Sequence, residues 1–262
     1  MPELPEVQAH AERLTDAYRG DALARFQPIT FTALKTAVPT PDGAYGHPLE
    51  RVGRRGKYLL MEFAPLTFIV HLMQGGRLKD DEKQSPKPRG GQARWRFEDG
   101  RALLLTEAGT ERRAGVWCVP AGEELTSPPL VDLGPEAMEV TPAELATRIA
   151  GIGRRLANEV CHRAKLSPFA ATAKLGLAGA EKVVAAIHDA VDEGLEFERG
   201  RPDMSSSADR PGRVHKRTGE PCPVCGDTIR EVQYSSYTVS YCPTCQTGGK
   251  VLADNTTSRF LK

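Results

Sequence analysis

Two cysteine pairs near the end of the chain, Cys222-Pro-Val-Cys225 and Cys242-Pro-Thr-Cys245, constrain its fold more than any other feature. The tail that carries them, residues 216–262, is too short to bury a stable core by itself. Four thiolates on one tetrahedral ion would supply the missing stability and fix both turns. Pro223 and Pro243 stiffen the two knuckles, and Ile229–Tyr234 with Thr238–Tyr241 can pair as a hairpin between them. The spacing therefore predicts a zinc ribbon with one structural Zn2+ on Cys222, Cys225, Cys242 and Cys245. Four sulfur ligands leave no open position, which argues against a catalytic metal. Cys118 and Cys161, the remaining cysteines, read as buried bystanders.

The 262 residues are 40% hydrophobic and 26% charged, enough for two domains and a small appendage. No apolar run approaches the roughly 18 residues that would span a membrane. The start lacks a basic-then-apolar leader, so a cytoplasmic, nucleoid-associated protein without membrane contact is expected. No Walker or dinucleotide loop is present, so no nucleotide cofactor is expected. The net charge of +1 hides three basic clusters: Arg51 to Lys57, Arg154 to Lys165, and Arg210 to Arg217. A neutral total can contain a positive groove, so nucleic acid is the expected partner. A monomer is expected.

Helical spacing of Val7, Ala11, Leu14 and Tyr18 predicts a helix over 5–18. Strand patterns follow at Ala24–Ile29, Leu49–Val52, Tyr58–Phe63, Phe68–His71, Ala93–Phe97, Ala102–Thr106 and Val116–Val119. Lys79–Gly91 is polar and reads as an exposed loop. After Pro128 the pattern becomes helical, at 142–149, 154–165, 168–175 and 180–193, with a capping box at Thr141–Glu144 and a stop at Gly194. The expected domains are a mainly β unit at 1–120, a helical unit at 128–198, a polar linker at 199–215 and the ribbon at 216–262.

The chain opens Met-Pro-Glu-Leu-Pro-Glu. A small second residue permits removal of the initiator methionine, which would expose a secondary amine at Pro2. Such an amine can attack C1′ of a damaged nucleotide and leave an iminium. Glu3 and Glu6 lie close in sequence and could move protons. Lys57, in a basic turn, could approach phosphate or leaving base. Taken singly, each has an ordinary explanation, because glutamate in a first turn simply suits the helix dipole.

MPELPEV at the start, RRGKYL at 54–59, LGPEA at 133–137, the GIG and ANE elements of 151–159, GEPCPVCG and YCPTCQ occur together over essentially the whole chain. In this combination the sequence resembles the formamidopyrimidine-DNA glycosylase and endonuclease VIII family. The resemblance implies an α+β multidomain protein: an N-terminal β-sandwich with an opening helix, a helix–two-turns–helix domain and a C-terminal zinc ribbon. It implies double-stranded damaged DNA as partner, with a flipped base. It implies Pro2 as nucleophile, Glu3 as general acid/base, Glu6 as an assisting carboxylate and Lys57 as a DNA-contacting lysine.

Several positions depart from the family pattern. The family's HLGMSG or HLGMTG is HLMQGG here, which puts Gln74 at the wedge position and displaces Met73 by one. The DPRRFG-like segment reads TERRAG from Thr110 to Gly115, keeping Arg112 but placing Ala114 where a wedge phenylalanine stands. GIGN becomes GIGR, so Arg154 occupies the phosphate-contacting asparagine position, with Asn158 one turn on. In the zinc hairpin Tyr237 replaces the usual arginine, and Arg230 on the opposite strand is a candidate substitute. The stretch before Gly151 is shorter than usual. The DNA-contact set implied is thus Met73, Gln74, Arg112, Arg154, Asn158, Arg230 and Tyr237. The leading expectation is a base-excision glycosylase with AP lyase activity acting by β,δ-elimination, with abasic sites tolerated better than selective base removal. The alternatives are a non-catalytic binder of damaged DNA or adducts and, further off, a zinc-stabilised protein-interaction module.

Overall fold

The structure, a computed structural model, describes residues 1–109, 112–146, 149–204, 206–234 and 237–253, without the side chains of residues 146 and 234. The chain divides into two compact units, one of Met1–Leu133 with Glu198–Ser207, the other of Gly134–Phe197 with Ala208–Lys262.

The first unit opens with α1 (Leu4–Tyr18), whose Val7, Ala11, Leu14 and Tyr18 are buried along one stripe. Eight strands follow: β1 (Leu23–Pro28), β2 (Leu49–Arg55), β3 (Tyr58–Phe63), β4 (Leu66–His71), β5 (Gly76–Asp80), β6 (Gly91–Phe97), β7 (Ala102–Glu107) and β8 (Gly115–Pro120). They form two antiparallel four-stranded sheets, β1-β6-β7-β5 and β2-β3-β4-β8. Alternate residues of both sheets meet in one core: Leu59, Met61 and Phe63 from β3, Phe68 and Val70 from β4, Trp95 and Phe97 from β6, Leu103 and Leu105 from β7. The ring centroids of Phe26 and Phe68 each lie close to Trp95, at 5.0 and 6.0 Å. On the outer face of the second sheet Leu60, Ile69 and Val119 pack with Leu130, so both faces of β3 and β4 are covered.

Strand β5 was not legible in the sequence, because its apolar content is one leucine and it starts at a glycine. That glycine is required: a Cβ on Gly76 would lie 2.0 Å from the Leu72 carbonyl oxygen. Nor is Lys79–Gly91 simply an exposed loop. Lys79 and Asp80 complete β5, and Asp81 is buried against Arg94, whose Nε donates to Oδ2 at 2.6 Å. Arg94 also donates from Nη2 to the Ser85 carbonyl at 2.6 Å, which ties the segment down.

In the second unit the Thr141 amide donates to Glu144 Oε2 at 2.9 Å, but the expected helix over 142–149 is a 3-10 turn, Pro142–Ala146, with residues 147–148 outside the described set. Ala150 then bridges to Glu136 of the LGPEA segment, its amide donating to Pro135 O at 2.8 Å. Helix α2 (Arg154–Arg163) follows. The expected helix at 168–175 reduces to a 3-10 turn, Thr172–Lys174. Helix α3 (Gly176–Arg199) runs through Gly194, because Leu195 and Glu198 beyond it are buried. The hairpin of β9 (Arg230–Tyr234) and β10 (Tyr237–Tyr241) leads into α4 (Pro243–Thr247).

The expected linker at 199–215 is packed at both ends. Met204 enters the core of the first unit. Val214 joins Cys222, Ile229 and Cys242 in an apolar cluster of the second. Polar composition concealed this, since single apolar residues and the backbone donors of residues 213–215, not a periodic apolar stripe, hold the segment.

His10 of α1 is buried, and its Nε2–H donates to Leu78 O on β5 at 2.7 Å. Burial pushes its pKa down to about 4, below its ordinary value near 6.5. The folded state therefore binds this proton less readily than the unfolded chain, so stability falls as pH drops from about 6.5 towards about 4. Urea unfolding at pH 7 and pH 5 should show the lower midpoint at pH 5. His10→Gln, which can still donate to Leu78 O, should reduce that difference, the remainder coming from His71 and His215, whose pKa values are also pushed down to about 4.

Candidate active site and metal centre

The first turn of α1 fixes the N-terminal segment. Glu3 is its N-cap residue, and the Glu3 amide donates to Glu6 Oε2 at 2.7 Å, one half of a reciprocal capping box. Leu4 and Val7 are buried in the same turns, so the chain before them has little freedom. Pro2 is buried, and the carboxylate-bearing residues Glu3 and Glu6 are 4% and 0% exposed. Ser207 Oγ donates to the Met1 carbonyl at 3.1 Å. The Met1 amine has a lowered pKa; burial is the main cause, Arg77 and Lys57 push the same way, and Glu3 and Glu6 oppose them. Four charged side chains thus act electrostatically on the terminus.

Lys57 stands in the turn between β2 and β3, where Gly56 has a φ of +58°. Arg54 braces this turn, donating from Nη1 to Gly56 O at 2.9 Å and from Nε to Gln8 Oε1 on α1 at 3.0 Å. Lys57 also acts on His71 at the end of β4, whose pKa is pushed down to about 4 by burial and then by the lysine's charge. His71 is therefore neutral near pH 7. Its ring lies 4.4 Å from that of Tyr58, and its Nδ1 is 2.7 Å from Met73 Sδ. His71 and Arg77 were absent from the sequence-derived set. The available signal was their position, His71 opening the altered HLMQGG segment and Arg77 directly following it.

Met73 and Gln74, paired in the sequence reading, separate in space. Met73 adopts a left-handed φ of +53° and packs partly buried against the sandwich core. Gln74 is exposed at the tip of the turn. Met73 therefore does not act as a projecting wedge; the glycine of the family pattern would sit in that left-handed conformation without a Cβ penalty. Ala114 is buried, with its amide donating to Glu107 Oε2 at 2.6 Å, while Arg112 is exposed. Thr110 lies outside the described residues.

In the second unit Arg154 is the first residue of α2, exposed, with its guanidinium 5.3 Å from the Tyr237 ring centroid. These two altered positions meet in a cation–π contact. Arg230 does not replace Tyr237 on the hairpin. It pairs with Tyr241, four residues along β10 from Tyr237, a displacement of roughly 13 Å at strand spacing. Asn158 is buried, and its Nδ2 donates to His215 Nδ1 at 2.9 Å. Glu159 accepts from the amides of Arg213, Val214 and His215 at 2.8, 3.1 and 3.0 Å. Burial alone would raise its pKa, yet these three donors hold it below the usual carboxylate range.

The four paired cysteines converge. Cys225 Sγ is 3.4 Å from Cys242 Sγ, and Cys222 Sγ is 3.9 Å from Cys245 Sγ. Burial, with the neighbouring sulfurs, pushes the Cys242 thiol up to about 11, and the Cys245 thiol rises for the same reasons. Holding Cys242 and Cys245 as thiolates takes a neighbouring cation, and the donor chemistry of the cluster fits zinc. His162 of α2 joins the group, its Nε2 lying 3.3 Å from Cys222 Sγ.

Residues 1–117 match the model of the formamidopyrimidine-DNA glycosylase N-terminal domain, and residues 219–248 match that of the zinc finger found in FPG and IleRS. A formamidopyrimidine-DNA glycosylase of Thiobacillus denitrificans is 30% identical over 94% of this chain and 100% of its own length. The chain belongs to the formamidopyrimidine-DNA glycosylase family. An uncharacterised formamidopyrimidine-DNA glycosylase-like protein of Mycobacterium tuberculosis is 42% identical over 50% of this chain and 94% of its own length. In fold, the chain is similar to Lactococcus lactis Fpg, solved with DNA containing an abasic site, at a TM-score of 0.81 and 19% identity, covering 94% of this chain and 99% of that one.

For this glycosylase-family chain, Glu159 is the residue that fixes the segment entering the zinc finger. Glu159→Ala removes one acceptor from three amides, and the loss should cost about 2–4 kcal/mol. Urea unfolding measures that loss, and hydrogen exchange should accelerate at residues 213–215.

Proposed function

We propose that this chain is a DNA base-excision glycosylase with AP lyase activity, using Pro2 as its nucleophile once Met1 is removed. The observation that carries the reading is the fixed N-terminal segment, with Pro2, Glu3 and Glu6 buried at the first turn of α1 and the Glu3 amide held by Glu6, where Lys57 and Arg77 act electrostatically on the terminal amine. Burial and two cations favour the neutral, nucleophilic form of an amine in that position. The Pro2 nitrogen attacks C1′, the base departs with a proton, and an iminium joins protein to sugar. Loss of a C2′ proton expels the 3′ phosphate, a second elimination releases the 5′ phosphate, and water regenerates the amine. Glu3, fixed by the helix cap, is the group for protonating the opening sugar ring. Glu6 holds the Glu3 backbone and thereby its carboxylate. Lys57 is the phosphate contact beside the terminus.

Arg154 supplies a backbone cation from α2, and Tyr237 orients it. Arg112 and Gln74, both exposed, are the groups available to the strand opposite and to an orphaned base. One structural zinc ion on Cys222, Cys225, Cys242 and Cys245 keeps the hairpin that presents Tyr237 folded. With Ala114 and Met73 turned inward, no apolar wedge projects at these positions. Abasic DNA, which costs less to extrude, is the favoured substrate over an intact oxidised purine. The same inward packing fits a second reading, a non-catalytic binder of damaged DNA.

Borohydride trapping separates the two. The processed protein should become covalently joined to duplexes containing an abasic site, more than to thymine glycol and least to 8-oxoguanine opposite cytosine. Preferential excision of 8-oxoguanine overturns that order; salt-sensitive binding with no trapped adduct establishes the non-catalytic reading. Arg154→Ala should lower the slope of log affinity against log salt by about 0.9. Tyr237→Phe, which keeps the ring face, should leave the slope near that of the parent, and Tyr237→Ala should move it towards Arg154→Ala.

A further inference from the structure

The cysteine cluster contains five potential ligands for four positions. His162 lies in the last turn of α2 and is 2% exposed. One of its ring nitrogens and the sulfurs of Cys222, Cys242 and Cys245 all lie within 4.8 Å of one another. A tetrahedral zinc site has donor separations of about 3.8 Å between two sulfurs and about 3.6 Å between sulfur and imidazole nitrogen. The observed Cys222–Cys245 and His162–Cys222 separations, 3.9 and 3.3 Å, are close to these. The other imidazole nitrogen, Nδ1, is buried and has no hydrogen-bond partner among the described residues. Helix α2 is itself held to the ribbon: Gln246 Nε2 donates to Leu166 O at 2.9 Å, and Asn158 reaches His215.

The four cysteines differ in exposure. Cys222 and Cys242 are buried and Cys245 is partly buried, whereas Cys225 is exposed. Cys225 is the most exposed of the four residues, and the donor set formed with His162 omits it. We propose that His162 is an alternative fourth ligand, interchangeable with Cys225, so that the site keeps its ion as a Cys3His set when Cys225 is lost. The inference rests on the reading of the cluster as a zinc site. Its consequence is that the hairpin carrying Tyr237 stays folded without the exposed thiolate.

The test uses the full-length protein, with metal content by mass spectrometry and visible absorption after replacement of zinc by Co2+. Cys225→Ala should retain one equivalent of metal and a tetrahedral cobalt spectrum. Its sulfur-to-cobalt charge-transfer band should lose about one quarter of its intensity, as three thiolates replace four. His162→Phe should keep one equivalent and the full charge-transfer band. The double variant should lose the metal, as should Cys222→Ala, which depletes both donor sets. Circular dichroism of each variant separates metal loss from general unfolding. If Cys225→Ala alone loses the metal, or the double variant retains it as well as Cys225→Ala does, His162 is not a ligand and the proposal falls. A parent protein that binds no zinc would instead overturn the underlying reading of the site.

Discussion

Burial of one stripe of α1 against the sandwich is the constraint on which the candidate chemistry depends. Val7, Ala11, Leu14 and Tyr18 are taken up by the core that both sheets share. The helix therefore cannot slide, and its first turn has a set position. Within that turn, Glu6 holds the Glu3 amide, so the terminal residues inherit the rigidity of the sandwich. A reactive amine on a frayed terminus would spend most of its time elsewhere. Here tertiary packing supplies the pre-organisation that positioning of a nucleophile requires.

In the second unit a helix-start cation meets an aromatic face of the hairpin. Arg154 stands at the start of a helix, where the macrodipole disfavours a cation, and no acidic residue occupies the first turn. The Tyr237 ring face offsets that penalty locally. The two altered positions explain each other only when their contact is seen. A similar logic governs Glu159, a buried carboxylate whose three backbone donors come from a segment more than fifty residues away.

Much of the fold was readable from pattern. Alternation located seven strands of the sandwich, and a 3.6-residue stripe located α1, because burial on one face imposes those periods. The misses have physical causes. Strand β5 carries too little apolar signal, and its boundary is set by a close approach of backbone at Gly76. Helix α3 passes Gly194 because burial beyond it outweighs the propensity cost of one glycine, about 1 kcal/mol. The supposed linker is anchored by two isolated apolar residues, Met204 and Val214, and by main-chain hydrogen bonds to Glu159, which form no periodic pattern.

Local chemistry set what the sequence by itself determined: the family, the cysteine quartet, the capping carboxylates and the lysine in a tight turn. Each depends on residue type at short spacing, which a linear reading preserves. Only the tertiary structure decided which candidates share a site. It turned Met73 inward and Gln74 outward, withdrew Asn158 into a buried contact with His215, joined Arg154 to Tyr237, and brought His71, Arg77 and His162 beside groups distant in sequence. Those outcomes follow from packing and through-space charge, whose partners are chosen by the fold and not by order along the chain.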